Sequence, residues 1–129
     1  MQSVALINYG SGNLRSAEKA LIRVADGKSE IVVTDDPDLI ADADRIVLPG
    51  VGAFAACMAA FEARPGVSEA MTEAVHGKGA PFLGICVGMQ LLASRGLEFG
   101  ETSGLDWIGG DVRKLRDGGD PSIKIPHMG

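Results

Sequence analysis

The stretch PFLGICVGMQLL, residues 81–92, decides the fold. A short β-favouring apolar run, residues 82–85, meets a second apolar run whose spacing predicts a helix over about 88–95. Only Cys86 lies between them, with Gly84 and Gly88 two residues to either side. A strand that passes into a helix within one residue is the start of a βα unit, and the chain upstream repeats that alternation. RIVL (45–48) reads as a strand, PGVG as its loop, 53–63 as a helix rich in small residues, and 68–76 as a second helical segment. Before these come a strand at 3–8, the turn YGSGN, and a helix from Leu14 with apolar positions Leu14, Ala17, Leu21 and Val24. Asn13 or Ser11 can cap that helix, which ends near Asp26-Gly27. EIVVT (30–34) is a further strand, DDPDLIADA carries a short helix, and a β-like run spans 107–115 after a glycine-broken stretch. The expected class is α/β, a mainly parallel, flavodoxin-like sheet with helices on both faces, in one domain over 1–129. Ligands of such sheets bind outside the carboxyl ends of the strands, here YGSGN, PGVG and the Cys86 turn.

At 129 residues and 46% hydrophobic content the chain has enough apolar mass for one buried core. A net charge of −5 with scattered Lys and Arg argues against a nucleic-acid or anionic-membrane partner. MQSVALINYG has no basic region ahead of its apolar residues, and no apolar run reaches the length of a membrane span. A cytoplasmic home is expected. In that reducing compartment Cys57 and Cys86 are expected as free thiols rather than a disulfide.

Three patterns have cheaper explanations than the sites they imitate. Gly27-Lys28-Ser29 resembles the end of a P-loop, but Ile22 stands where its first glycine belongs and the tripeptide follows a helix. Gly10-x-Gly12 lies between strand and helix as in a dinucleotide fingerprint, yet Arg15 holds the third glycine's position. Asp35, Asp36 and Asp38 precede a helix with Pro37 at its start, so capping explains them without a metal. No metal or cofactor is expected.

Gly84-Ile85-Cys86-Val87-Gly88 has the G-x-nucleophile-x-G form of a tight strand-to-helix turn. Such a turn is expected to force Cys86 into a positive-φ or otherwise sparsely populated conformation, and bulkier neighbours than glycine would collide with the adjacent strand or helix. The thiol then stands above the sheet at a helix N-terminus, a place that favours thiolates, and the Val87 N–H can serve an oxyanion. The alternative for Cys86 is a small buried hydrophobe, the usual state of a free cysteine. Cys57, inside AAFAACMAAFEA on a helix, reads as core packing.

NYGSGNL, LPGVGAF, FLGICVGMQLL and IPHMG, in that order and over the whole chain, resemble the class I (triad) glutamine amidotransferases. PGVG, NYGSGNL and PHMG narrow the resemblance to the glutaminase subunits of imidazole glycerol phosphate synthases. It implies that Cys86 attacks the side-chain amide of glutamine and that ammonia leaves for a (β/α)₈-barrel cyclase partner in a heterodimer of histidine biosynthesis. It also implies that Val87 and the Gly50-Val51-Gly52 loop supply the oxyanion site, and that Gln90 contacts substrate. Tyr9, Gly10, Ser11, Gly12 and Asn13, with Pro126, His127 and Met128, would face the cyclase. The Val51 peptide, between two glycines, is expected to turn toward the oxyanion site only when the partner is engaged.

The class also uses a His-x-Glu pair well downstream of the cysteine, and this sequence has none. His76 reads as a helix-terminal residue, and His127 lies two residues from the end. The chain is therefore expected to be the N-terminal portion of such a glutaminase, inactive by itself. Two other readings stand beside this one. One is another class I glutaminase, such as that of pyridoxal phosphate synthase, against which PGVG in place of a PGGE-like loop speaks. The other is a non-catalytic flavodoxin-like module.

Overall fold

The computed structural model describes residues 1–115. Four strands, β1 (Gln2–Ile7), β2 (Ser29–Thr34), β3 (Arg45–Leu48) and β4 (Phe82–Gly84), form one sheet in the order β2-β1-β3-β4. All three pairings are parallel, with Val4 opposite both Ile31 and Arg45, and Ile46 opposite Phe82. The crossovers are α1 (Leu14–Ala25), α2 (Pro37–Asp42), α3 (Phe54–Glu62) and α4 (Val67–Thr72), the last continuing as a π-helical turn over Glu73–Gly77.

Alternation along the central strands sorts their side chains to two layers. Ala5, Ile7, Ile46 and Leu48 face a core closed by Ile40, Phe54, Phe61 and Met71. Val4, Leu6 and Val47 face the other way, against Leu14, Ala17 and Leu21 of α1. Helices thus cover both faces, as the strand–helix alternation predicts. Val24 departs from that pattern: expected on the apolar face of α1, it is 79% exposed near the helix end. The acidic run does structural work. Asp36 caps α2 by accepting from the Asp38 N–H at 2.9 Å, and Asp35 pairs with Arg64 at 2.7 Å.

The helix expected over 88–95 is a correction. After Cys86 the chain makes only α5 (Val87–Gln90) and then enters β5 (Ala93–Gly96) of a second small sheet, ordered β6-β5-β7 with β6 (Thr102–Ser103) and β7 (Ile108–Val112). The reason is competition for carbonyls. Those of Leu91, Leu92 and Ala93 accept from the N–H groups of Leu105, Trp107 with Ile108, and Asp106, respectively, rather than from the next helical turn. The apolar run 88–92 is common to both structures, so its periodicity alone cannot tell them apart.

Among the described residues β4 has a neighbour on one side only, and Leu83, beside Val47 in the register, is half exposed. No helix among them is long and apolar enough to cross a membrane.

Candidate active site

The carboxyl ends of β1, β3 and β4 converge, and each contributes a loop. The β4 loop is the Cys86 turn. Cys86 has φ 56° and ψ −122°, the positive-φ backbone expected of it, and its side chain is exposed. The Ile85 N–H donates to the Leu48 carbonyl at 2.9 Å, which ties the turn to β3 just before it reverses, and the Met89 N–H donates to the Cys86 carbonyl at 3.0 Å to begin α5. The two glycines are required by space. A Cβ on Gly84 would lie 2.6 Å from the Met89 Cα, and one on Gly88 would run into the Leu48 carbonyl. The thiol is therefore held above the sheet by the closest strand–helix approach that backbone alone permits. Gln90 sits half-buried one turn further on, its N–H donating to the Cys86 carbonyl at 3.3 Å.

The β3 loop, Pro49 to Ala53, lies against that turn. Gly50 is buried, and a Cβ there would meet the Tyr9 hydroxyl at 2.5 Å and the Gly88 nitrogen at 2.7 Å. The Gly50 carbonyl accepts from the Val87 N–H at 3.2 Å. The group expected to serve an oxyanion is thus already engaged, by the loop expected to supply the second donor. The Val51 N–H donates to the Ser11 Oγ at 3.0 Å. Both N–H groups are thus engaged within the chain in this conformation. Rotating the single Gly50–Val51 peptide would withdraw the blocking carbonyl and swing the Val51 N–H toward the vacated place.

The β1 loop holds the other two in place. Tyr9, expected to face a partner, is buried: its ring stands edge-on to Phe61, with centroids 5.7 Å apart, and its hydroxyl donates to the Pro49 carbonyl. Burial, and next the nearness of Cys57, push its phenol well above the ordinary range. Ser11 and Gly12 are half-buried, whereas Gly10 and Asn13 are exposed. Asn13 caps α1, its Oδ1 accepting from the Ser16 N–H at 3.4 Å. Pro126, His127 and Met128 lie outside the described residues.

Cys57 is packed in the core, as expected, and makes polar contacts besides. It is buried in α3, and its Sγ donates to the Val51 carbonyl at 3.1 Å and lies 3.2 Å from the Ser11 Oγ. The available signal was a thiol in a helix that is otherwise Ala, Phe and Met up to its final Glu62, about one turn beyond the loop it holds. His76 packs on Trp107, with ring centroids 4.4 Å apart, and precedes β4, whereas Cys86 follows it. The two residues thus flank β4 from opposite sides in the chain. Among the described residues no group of three or more His, Cys, Asp or Glu could hold a metal ion.

The molecule is thus an α/β protein whose parallel sheet presents one exposed, positive-φ cysteine beside a glycine loop. The family model described as "Glutamine amidotransferase class-I" matches residues 5–126, and the chain belongs to that family. It is similar to proteins named "Imidazole glycerol phosphate synthase subunit HisH": 64% identical to that of Caulobacter vibrioides over 100% of this chain and 61% of the relative. The identity is 57% to that of Zymomonas mobilis, over 98% of this chain and 59% of the relative. The chain spans about three fifths of the length of these curated relatives.

Proposed function

We propose that the protein containing this chain is the glutaminase subunit of an imidazole glycerol phosphate synthase and that Cys86 is its nucleophile. The carrying observation is the Cys86 turn: an exposed thiol at φ 56° directly beside a rotatable Gly50–Val51 peptide. The names of the similar proteins supply the reaction that such a site serves.

In this reading the Cys86 thiolate attacks the side-chain carbonyl carbon of glutamine, and the carbonyl electron pair moves onto oxygen. The Val87 and Val51 N–H groups receive that oxyanion once the Gly50–Val51 peptide has turned. The tetrahedral adduct collapses with loss of ammonia, and water hydrolyses the glutamyl thioester to glutamate and free thiol. The group that takes the Cys86 proton and then, as a general acid, gives it to the departing ammonia is not among the described residues, and we place it in the part of the relatives' length that this chain does not span. Gln90, on the same short helix as the thiol's turn, would contact the substrate's polar end. The ammonia passes to a cyclase subunit, and the Tyr9–Asn13 segment, whose Gly10 and Asn13 are exposed, would lie toward it. The free state of Cys57 and Cys86 fits a reducing cytoplasmic compartment.

The blocked oxyanion site supports a partner-gated enzyme: hydrolysis stays low until a cyclase engaged with its substrate stabilises the turned peptide. The test is glutamate release by the full-length protein, alone and saturated with cyclase and its ribonucleotide substrate. Strong stimulation, abolished in Cys86→Ala, is expected. Release without Cys86 dependence contradicts the reading.

A further inference from the structure

We propose that Ser11 and Cys57 are positioning residues that latch the Gly50–Val51 peptide in its blocking orientation and so set the rate of glutamine hydrolysis without a partner. The proposal rests on the glutaminase reading above and concerns the regulation of that site.

Beyond the buried Pro49 and Gly50 the loop is not held by packing. Val51 is 55% exposed, and the space around Gly52, at φ 96°, is open within 4 Å. What holds it is polar. The Ser11 hydroxyl closes on one residue from both sides, accepting from the Val51 N–H at 3.0 Å and donating to the Val51 carbonyl at 3.1 Å. Cys57, buried beneath, donates to that same carbonyl at 3.1 Å and touches the Ser11 oxygen at 3.2 Å. The Ser11 oxygen can accept the Val51 N–H only while the Gly50–Val51 peptide keeps its carbonyl on the Val87 N–H, because both groups belong to one rigid peptide plane. Turning the peptide breaks the contact of the Val51 N–H to Ser11 and the Val87 contact together. The Val51 carbonyl belongs to the next peptide plane and keeps Cys57 and the Ser11 hydroxyl through the turn. Cys57 is thus an anchor in both states, and the Ser11 oxygen, as acceptor of the Val51 N–H, is the releasable catch.

Removing the catch leaves the Val51 N–H without its protein acceptor in the blocked state only, which favours the turned state. From the net worth of one hydrogen bond, Ser11→Ala in the full-length protein should raise the partner-free kcat for glutamine about fivefold. KM and the rate saturated with cyclase and its substrate should change less than about twofold, since in the turned state the Val51 N–H no longer uses Ser11. Ser11→Thr, which keeps the hydroxyl, should restore the low rate. Cys57→Ala, which frees the Ser11 hydroxyl that the thiol touches, should move the partner-free rate in the same direction by a smaller factor, and Cys57→Ser should reverse that. A partner-free rate that is unchanged or lower in Ser11→Ala, beside a wild type that is stimulated by its partner, overturns the latch and leaves the glutaminase reading standing. A wild type that releases no glutamate with its partner overturns both. If the alanine variants do not fold, amide hydrogen exchange in the wild type decides: a protected Val51 N–H that loses protection on cyclase binding supports the latch, and a Val51 N–H exchanging freely in the resting protein overturns it.

Discussion

Cys86 is held at φ 56°, ψ −122°, a conformation that costs a non-glycine residue on the order of 1–3 kcal/mol. The turn maintains it because Gly84 and Gly88 let α5 sit directly on β3 and β4. Cys86→Gly should therefore raise the urea unfolding midpoint relative to Cys86→Ala, by a margin equivalent to about 1 kcal/mol, while both variants lose glutamate release. Equal midpoints would mean that the turn stores no strain. Val51 bears on the switch in the same way. Turning the Gly50–Val51 peptide changes φ of Val51, which is not positive in the blocked state, and a β-branched residue resists positive values. Val51→Gly should raise partner-free hydrolysis by roughly tenfold, and a rate equal to wild type would show that φ of Val51 does not limit the turn. Tyr9, the sole tyrosine, offers a pH readout through its ultraviolet absorbance. Its folded pKa is raised above the unfolded value of about 10, so the stability it contributes is fully present below that pH and is lost as pH rises above it. Tyr9→Phe should flatten this alkaline loss of stability; an unchanged alkaline slope would contradict the buried phenol.

At the scale of elements, the second sheet depends on a close approach that the chain's own periodicity does not reveal. Gly96 of β5 lies against the Phe54 ring of α3, so closely that a Cβ would enter it. Gly96→Ala should destabilise the protein by about 1–3 kcal/mol, and Phe54→Leu in the same chain should recover part of that; additive losses in a double-mutant cycle would contradict the contact. The same region shows where reading the sequence ends. The strands β1, β2 and β3 and the helices α1 to α4 are legible because each is a local period bounded by turn chemistry. The end of α5 is not, since it is decided by N–H groups more than a dozen residues away that claim the Leu91, Leu92 and Ala93 carbonyls. The site divides likewise. Cys86 and PGVG announce themselves through flanking glycines, whereas the Tyr9 contact to Pro49 and the meeting of Ser11, Val51 and Cys57 join residues about forty positions apart and exist only once β1 and β3 are paired.

For the whole molecule, the account divides two thiols by their place in the fold, one presented above the sheet and one beneath the β3 loop. Reacted with iodoacetamide in native buffer, Cys86 should label first and Cys57 only slowly, a contrast that unfolding in urea abolishes. The central claim is that the exposed thiol forms a covalent bond with glutamine when the Gly50–Val51 peptide has turned. Its most direct test is mass spectrometry of the full-length protein, acid-quenched during turnover with glutamine in the presence and absence of its cyclase and ribonucleotide substrate. The account predicts a glutamyl adduct on the peptide containing Cys86, abundant with the partner, scarce without it, and absent from Cys86→Ala. A turning-over enzyme whose glutamyl group is carried by another residue, or whose adduct survives Cys86→Ala, would contradict it.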